Sequence, residues 1–197
     1  AKELAGRARG IARDHPNDAS VLTTLSRMEL GAGYPEAASD AAERALRLNP
    51  NSDQALLAKA RALFAMAEET PDSADWEAIR ALILKANTID PENAEPLVLF
   101  NRTFTAQGQR PTRNALDGLK YAVVLVPRDS ELRMELIGQL IDERRWDDAR
   151  DALIPLAYSP HRGKWHDAMV EVLGKVEARD ADAAKQKWSA ALKFFED

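Results

Sequence analysis

The side chains that most often serve as metal ligands or catalytic bases are present, but they are not arranged for either role. His15, His161 and His166 share no spacing that would place two ligands on one helix face. The absence of cysteine excludes thiolate zinc sites, disulfides and a cysteine nucleophile. No acidic residue is tied by spacing to a nucleophile, and no glycine-rich phosphate loop or strand-turn-helix serine motif occurs. We therefore predict no catalytic residue, no metal site, no cofactor and no enzyme activity.

Arginine supplies the one pattern that suggests binding chemistry. Arg27, Arg61 and Arg102 occupy the same place in three successive segments with a helical pattern. The planar guanidinium group suits carboxylates, such as those of an acidic peptide or of a chain terminus. Whether the three side chains can act together depends on the elements that position them.

Proline residues mark the predicted ends of those helices. Three stretches share a small residue, four spacers and a proline: residues 45–50 (ALRLNP), 86–91 (ANTIDP) and 122–127 (AVVLVP). Recurrence at roughly 20 to 50 residues is typical of solenoids. Proline cannot continue a helix and also disfavours the α conformation of the preceding residue, so each stretch predicts a helix end. Capping-type residues follow each proline, at 51–53, 93 and 129–130, and predict the next helix start.

The residue pattern of segment 19–50 predicts a helical hairpin. Its first half carries apolar residues at helical spacing, the glycines at 31 and 33 interrupt it, and Pro35 is well placed for the first turn of a second helix. Ala38, Ala42 and Ala45 then form a stripe of small residues that allows two helices to approach closely.

The spacing of five residues in this hairpin resembles the signature of the tetratricopeptide repeat, a unit of about 34 residues. They are Leu22, Leu25, Ala38, Ala45 and Pro50. The aromatic, small and tyrosine positions of that signature hold Leu22, Ser26 and Glu29 here. The resemblance covers essentially the whole chain, and it implies an all-α fold, a right-handed α-α superhelical solenoid of helical hairpins.

We predict a single solenoid over 1–197 with about eleven helices. Residues 1–18 hold the second helix of a truncated repeat, 19–52, 53–93, 94–129 and 130–162 are repeats, and 163–197 is a C-terminal capping hairpin. The second repeat is longer than the others, and we expect its extra residues around 68–73 to form an acidic loop. Four tryptophans are interpreted as packing residues, two of them at the start of second helices (Trp76, Trp146) and two in the terminal hairpin (Trp165, Trp188).

In the family that the chain resembles, the first helices of the repeats line a concave groove that binds extended peptides. Carried over residue by residue, the resemblance places eight residues on that surface: Thr23, Arg27, Leu57, Arg61, Phe64, Val98, Arg102 and Met134. Some members clamp a C-terminal carboxylate with lysine and asparagine, but the first such helix offers Thr23 and Arg27 here. That departure argues against a chaperone-type clamp and leaves another anionic peptide open.

An alternative interpretation of the arginines is purely structural. Glu95, Glu131 or Asp142 on adjacent helices could neutralise them as ion pairs, since charged faces are commonly solvated or self-paired. The sequence leaves both interpretations open.

Charge and hydropathy restrict the partners. Twenty-seven Lys and Arg residues stand against 32 Asp and Glu residues, a net charge of −5 that disfavours nucleic acid. No apolar run approaches the roughly 20 residues that cross a bilayer, so no membrane insertion is expected. The chain opens directly into a helical pattern without a signal-type segment, and we expect it to be cut from a longer protein of unknown compartment.

Three functions follow as hypotheses. The first is a protein-interaction scaffold that holds a peptide or helix of a partner in the concave groove, and a partner with an acidic segment or a free C-terminus would suit the arginines. The second is an accessory domain that recruits or positions substrate for a larger protein, such as an enzyme. The third is a structural spacer or oligomerisation element, in which copies of the chain associate.

Overall fold

A computed structural model describes residues 1–160 and 163–194, and these residues form helices and turns without a strand. They divide into two compact units, Ala1–Leu125 and Val126–Asp197, which we call the N-terminal and C-terminal units. The all-α prediction is thereby confirmed.

Seven helices make up the N-terminal unit: α1 (Lys2–Asp14), α2 (Ala19–Gly31), α3 (Pro35–Leu48), α4 (Asp53–Glu69), α5 (Trp76–Ile89), α6 (Ala94–Ala106) and α7 (Arg113–Leu125). Four follow in the described part of the C-terminal unit: α8 (Ser130–Asp142), α9 (Trp146–Ala157), α10 (Lys164–Glu177) and α11 (Ala181–Leu192). The predicted repeats each hold one consecutive pair, starting with α2 and α3, and α1 precedes them alone. The single continuous stack over 1–197 stays a prediction.

The helix boundaries lie where proline and the capping residues predict them. Helices α3, α5 and α7 each end two residues before the proline of its stretch. At the starts that follow, Ser52, Asn93 and Asp129 accept hydrogen bonds from backbone amides of α4, α6 and α8. Each cap satisfies an amide that has no partner within its helix.

The acidic loop predicted around 68–73 is shorter than expected. Helix α4 continues through Glu69, which makes it 17 residues long, and the turn begins at Thr70. The residues before that point, from Ala62 to Glu69, are mostly strong helix formers, so propensity carries the helix past the end expected from the repeat.

Packing in the N-terminal unit joins consecutive helices and also the first helices of neighbouring hairpins. Helix α2 contacts both α3 and α4, and α4 contacts α5 and α6. The small-residue stripe on α3 is fully buried, with Ala38, Ala42 and Ala45 all at 0% exposure. Contact between α2, α4 and α6 places the three helices that carry the arginines side by side.

Trp76 and Trp188 are buried, in agreement with the packing interpretation, and Trp146 and Trp165 are half-buried. Trp76 begins α5, is buried, and donates its indole N–H to the Pro71 carbonyl across the intra-repeat turn at 2.9 Å. Trp146 begins α9, as predicted. Trp188 is buried on α11 against α8, where a Cβ at Gly138 would stand 3.0 Å from the indole Nε1. Glycine at 138 thus admits the indole ring.

None of the helices within residues 1–160 and 163–194 combines the length and the apolar character that crossing a bilayer requires.

Candidate functional site

The candidate site is a cleft of about 150 Å³ in the N-terminal unit. Helices α2, α4 and α6 supply its walls, and the residues that line it are Arg27, Gln54, Leu57, Ala58, Arg61, Asn93 and Glu95. A cleft of this size has room for several water molecules or for part of a peptide side chain.

Three residues of the predicted groove come together in this cleft: Arg27 from α2, and Leu57 and Arg61 from α4. Both arginines are exposed, whereas Leu57 is buried and forms an apolar floor. Two guanidinium groups over an apolar floor are suited to a segment that presents a carboxylate beside an apolar group.

The two arginines of the cleft differ in their partners. Arg61 donates from Nη1 to Oε1 of Glu95 at 2.7 Å, and both side chains are close to half exposed. Arg27 forms no ion pair with any carboxylate of the described residues. The Arg61 pair matches one of the structural pairings that the sequence left open, while Arg27 remains available to a ligand.

The other predicted groove residues in the N-terminal unit lie outside the cleft. Thr23 is buried and its hydroxyl donates to the Ala19 carbonyl at 2.7 Å. Phe64 meets the Trp76 ring edge to face, with 5.9 Å between centroids, and belongs to the packing around α5. Val98 is half-buried and Arg102 is exposed, both on α6.

Met134 belongs to the C-terminal unit and is buried on α8. In the same unit, Asp142 pairs with Lys185 at 2.6 Å rather than with one of the arginines.

The histidines form no cluster in the part of the chain that the structure describes. His15 follows the end of α1 and is exposed, and His166 lies 3.1 Å from Oδ1 of Asp167 through Nδ1. His161 lies outside the described residues. Within residues 1–160 and 163–194, no group of three or more His, Cys, Asp or Glu residues could hold a metal ion.

Comparison with known proteins identifies the fold that this arrangement of helices belongs to. No protein-family model and no curated protein sequence matches the chain. Among solved structures, YrrB, a tetratricopeptide-repeat protein with an unusual peptide-binding site, is 17% identical, with a TM-score of 0.67 over 96% of this chain and 90% of YrrB. The chain has the tetratricopeptide-repeat fold.

Two further solved structures support the same fold. TTC0263, a tetratricopeptide-repeat protein of Thermus thermophilus, is 16% identical, with a TM-score of 0.62 over 95% of this chain and 88% of its own. PilF of Pseudomonas aeruginosa is 15% identical, with a TM-score of 0.66 over 94% of this chain and 80% of its own. At these identities the likeness establishes the tetratricopeptide-repeat fold and its helix pairing.

The sequence did not reveal the partner of the residue that stands where the repeat usually has a tyrosine. Glu29 takes that position, is only 3% exposed, and receives two hydrogen bonds from Arg9 of α1, at 2.5 and 2.6 Å. The Arg9 guanidinium also lies 5.3 Å from the centre of the Tyr34 ring. Donation to Glu29 raises the pKa of Arg9. The departure at 29 was visible in the sequence, but nothing there indicated its partner.

A second missed feature is Arg80, which bridges α5 to α6 without a carboxylate. Its guanidinium donates to the Thr103 hydroxyl at 2.9 Å and to the Gln107 side-chain oxygen at 2.7 Å. It also stacks 4.0 Å from the centre of the Phe104 ring. Burial lowers the pKa of Arg80. Both missed arginines join helices to each other, in contrast to Arg27.

Proposed function

We propose that the chain is a protein-interaction module without catalytic activity, and that its N-terminal unit binds an extended segment of a partner protein. Arg27 is the principal contact, since it receives a carboxylate of that segment from an acidic side chain or from a free C-terminus. Leu57 provides the apolar surface beneath it.

The single observation that carries the proposal is the exposed guanidinium of Arg27 in a cleft between helices that also holds a second arginine. A charge-assisted hydrogen bond contributes about 1.5–3 kcal/mol where the bound segment excludes water from it, compared with about 0–1 kcal/mol for an ion pair on an open surface. The description of YrrB as a protein with a peptide-binding site supports peptide binding as a use of this fold.

The remaining residues of the predicted groove do not line the cleft. Thr23 is buried on α2 and bonds within that helix, and Phe64 packs α4 against Trp76 of α5. Val98 and Arg102 extend the surface along α6 away from the cleft. Met134 is buried in the C-terminal unit and takes no part in this proposal. The partner is a protein or peptide, and neither nucleic acid nor a lipid bilayer is its ligand.

The test is a binding screen against a library of peptides presented both as free acids and as C-terminal amides, read by fluorescence anisotropy. We expect the wild-type chain to select carboxylate-bearing peptides and Arg27→Gln to weaken their binding by at least about tenfold, which corresponds to about 1.4 kcal/mol. Arg7→Gln is the matched control, because Arg7 is exposed on α1 and does not line the cleft.

Unchanged binding in Arg27→Gln would show that the cleft is not the peptide site. Absence of any selected peptide would refute the interaction module as proposed. Circular dichroism should give the same helical signal and melting temperature for both variants, since neither side chain supports a buried contact.

A further inference from the structure

The cleft contains its own carboxylate, and that carboxylate is held in place by the start of α6. The Asn93 side chain caps α6 and accepts a hydrogen bond from the Glu95 amide at 3.0 Å. Glu95 therefore sits in the first turn of the helix, where a negative charge also interacts favourably with the helix dipole. From this fixed backbone its side chain reaches across to Arg61 of α4.

Because only Arg61 is paired with Glu95, Arg27 and Arg61 would respond differently to a ligand. Arg27 would gain a new ion pair when a ligand carboxylate enters the cleft. Arg61 would only exchange the Glu95 carboxylate for one from the ligand, so a contact with it returns little net free energy. An incoming second carboxylate would also meet the charge of Glu95 at close range, which disfavours it.

We propose that Glu95 is the specificity-determining residue of the cleft, and that it limits recognition to a segment with a single carboxylate. The inference rests on the proposed peptide-binding function and deepens it by stating the charge of the ligand. Wild-type chain should bind a peptide with one acidic group well and gain almost nothing from a second. Removal of the Glu95 charge should release Arg61 and reveal a preference for two acidic groups.

The experiment compares two fluorescent probes, both acetylated and amidated so that no terminal charge contributes. One is a leucine- and alanine-containing peptide with a single Asp, and the other carries two Asp residues separated by one residue. Their affinities are measured by anisotropy for wild type, Glu95→Gln, Glu95→Ala and Arg27→Gln. Glu92→Gln is the matched control, because it removes the same charge from the turn just before α6 while leaving Arg61 paired.

We expect the second Asp to change wild-type affinity by less than about twofold and to raise the affinity of Glu95→Gln by at least about fivefold. Glu92→Gln should behave as wild type. The gain should disappear when Arg61→Gln is added to Glu95→Gln, because the guanidinium that Glu95 releases is then missing. Melting temperatures should stay within a few degrees of wild type, since the Arg61–Glu95 pair is close to half exposed.

The outcomes separate this inference from the function on which it rests. If Arg27→Gln weakens both probes but Glu95→Gln shows no new preference, the specificity role of Glu95 is wrong and the peptide site stands. An equal gain in Glu92→Gln would also overturn it, because general electrostatics would then explain the effect. If wild type binds the probes and Arg27→Gln binds them equally well, the proposed function itself fails. If neither wild type nor Glu95→Gln binds either probe, the inference fails because the cleft does not recognise a side-chain carboxylate, and the free-acid peptides of the library screen then decide whether the proposed function stands.

Discussion

The Arg9–Glu29 and Arg61–Glu95 pairs each join neighbouring helices in the N-terminal unit, and they differ in how much water reaches the carboxylate. At the α1–α2 contact, the Glu29 side chain is 4% exposed and takes two hydrogen bonds from Arg9. At the α4–α6 contact, the Glu95 side chain is 45% exposed and takes one hydrogen bond from Arg61.

The difference shows that the same two residue types can be a structural tie or an exchangeable contact. A desolvated carboxylate depends on its partner, because nothing else can replace the hydration that it lost. A half-exposed carboxylate is still hydrated when its partner leaves, and it can release that partner to a ligand at little cost. The first pair belongs to the fold and the second belongs to the proposed site.

The largest expected effect is from Arg9→Ala. It leaves Glu29 buried without a cation, and we expect the melting temperature to fall by about 5–10 °C. Thermal unfolding followed by circular dichroism measures the change, with Arg7→Ala as the control on the same helix. Adding Glu29→Leu should recover much of the loss, because the unpaired carboxylate is then gone. Equal melting temperatures for Arg9→Ala and Arg7→Ala would contradict the structural role of this pair.

A smaller loss is expected from Arg80→Met, which keeps an unbranched apolar side chain as far as the position of Nε and removes the guanidinium donors. The hydrogen bonds to Thr103 and Gln107 and the stacking on Phe104 are lost, so the free energy of unfolding should fall by about 1–2 kcal/mol. Urea denaturation provides the measurement. Arg80→Lys should recover only part of the loss, since a lysine lacks the planar fork. If Arg80→Met unfolded at the same urea concentration as wild type, Arg80 would have no structural role.

The smallest effect on stability is expected at the exchangeable pair. A double-mutant cycle of Arg61→Gln and Glu95→Gln should give a coupling of about 0.5 kcal/mol in the free energy of unfolding, decreasing as salt is raised. A coupling near that of a buried pair, several kcal/mol, would make Arg61 a structural arginine. The specificity role proposed for Glu95 would then lose its basis.

The helices could be predicted in some detail because the signals that begin and end them are local. Proline removes a donor and restricts the residue before it, while serine, asparagine and aspartate satisfy amides within their own turn. Those signals placed the ends of α3, α5 and α7 and the starts of α4, α6 and α8. The end of α4 was missed because propensity, rather than a stop signal, determines it.

The candidate site was predictable in part. The register of Arg27 and Arg61 followed from the repeat, and the structure brings both into one cleft with Leu57. The sequence offered Glu95, Glu131 and Asp142 as possible partners without ranking them. Glu95 pairs with Arg61, whereas Asp142 pairs with Lys185 of α11. Residues that share a repeat position do not share an environment, because each meets a different neighbouring helix.

By itself, the sequence determined the helical class, the hairpin pairing and the stripes of small and apolar residues that let helices approach. Helix starts and stops depend on residues within one turn, and a short turn leaves two consecutive helices little choice but to pair. Only the tertiary structure decided which charges are desolvated and which are exchangeable. Arg9 finds Glu29 20 residues away and Arg61 finds Glu95 34 residues away. Such pairs depend on how helices stack and on how much water remains between them, and neither quantity is encoded in local spacing.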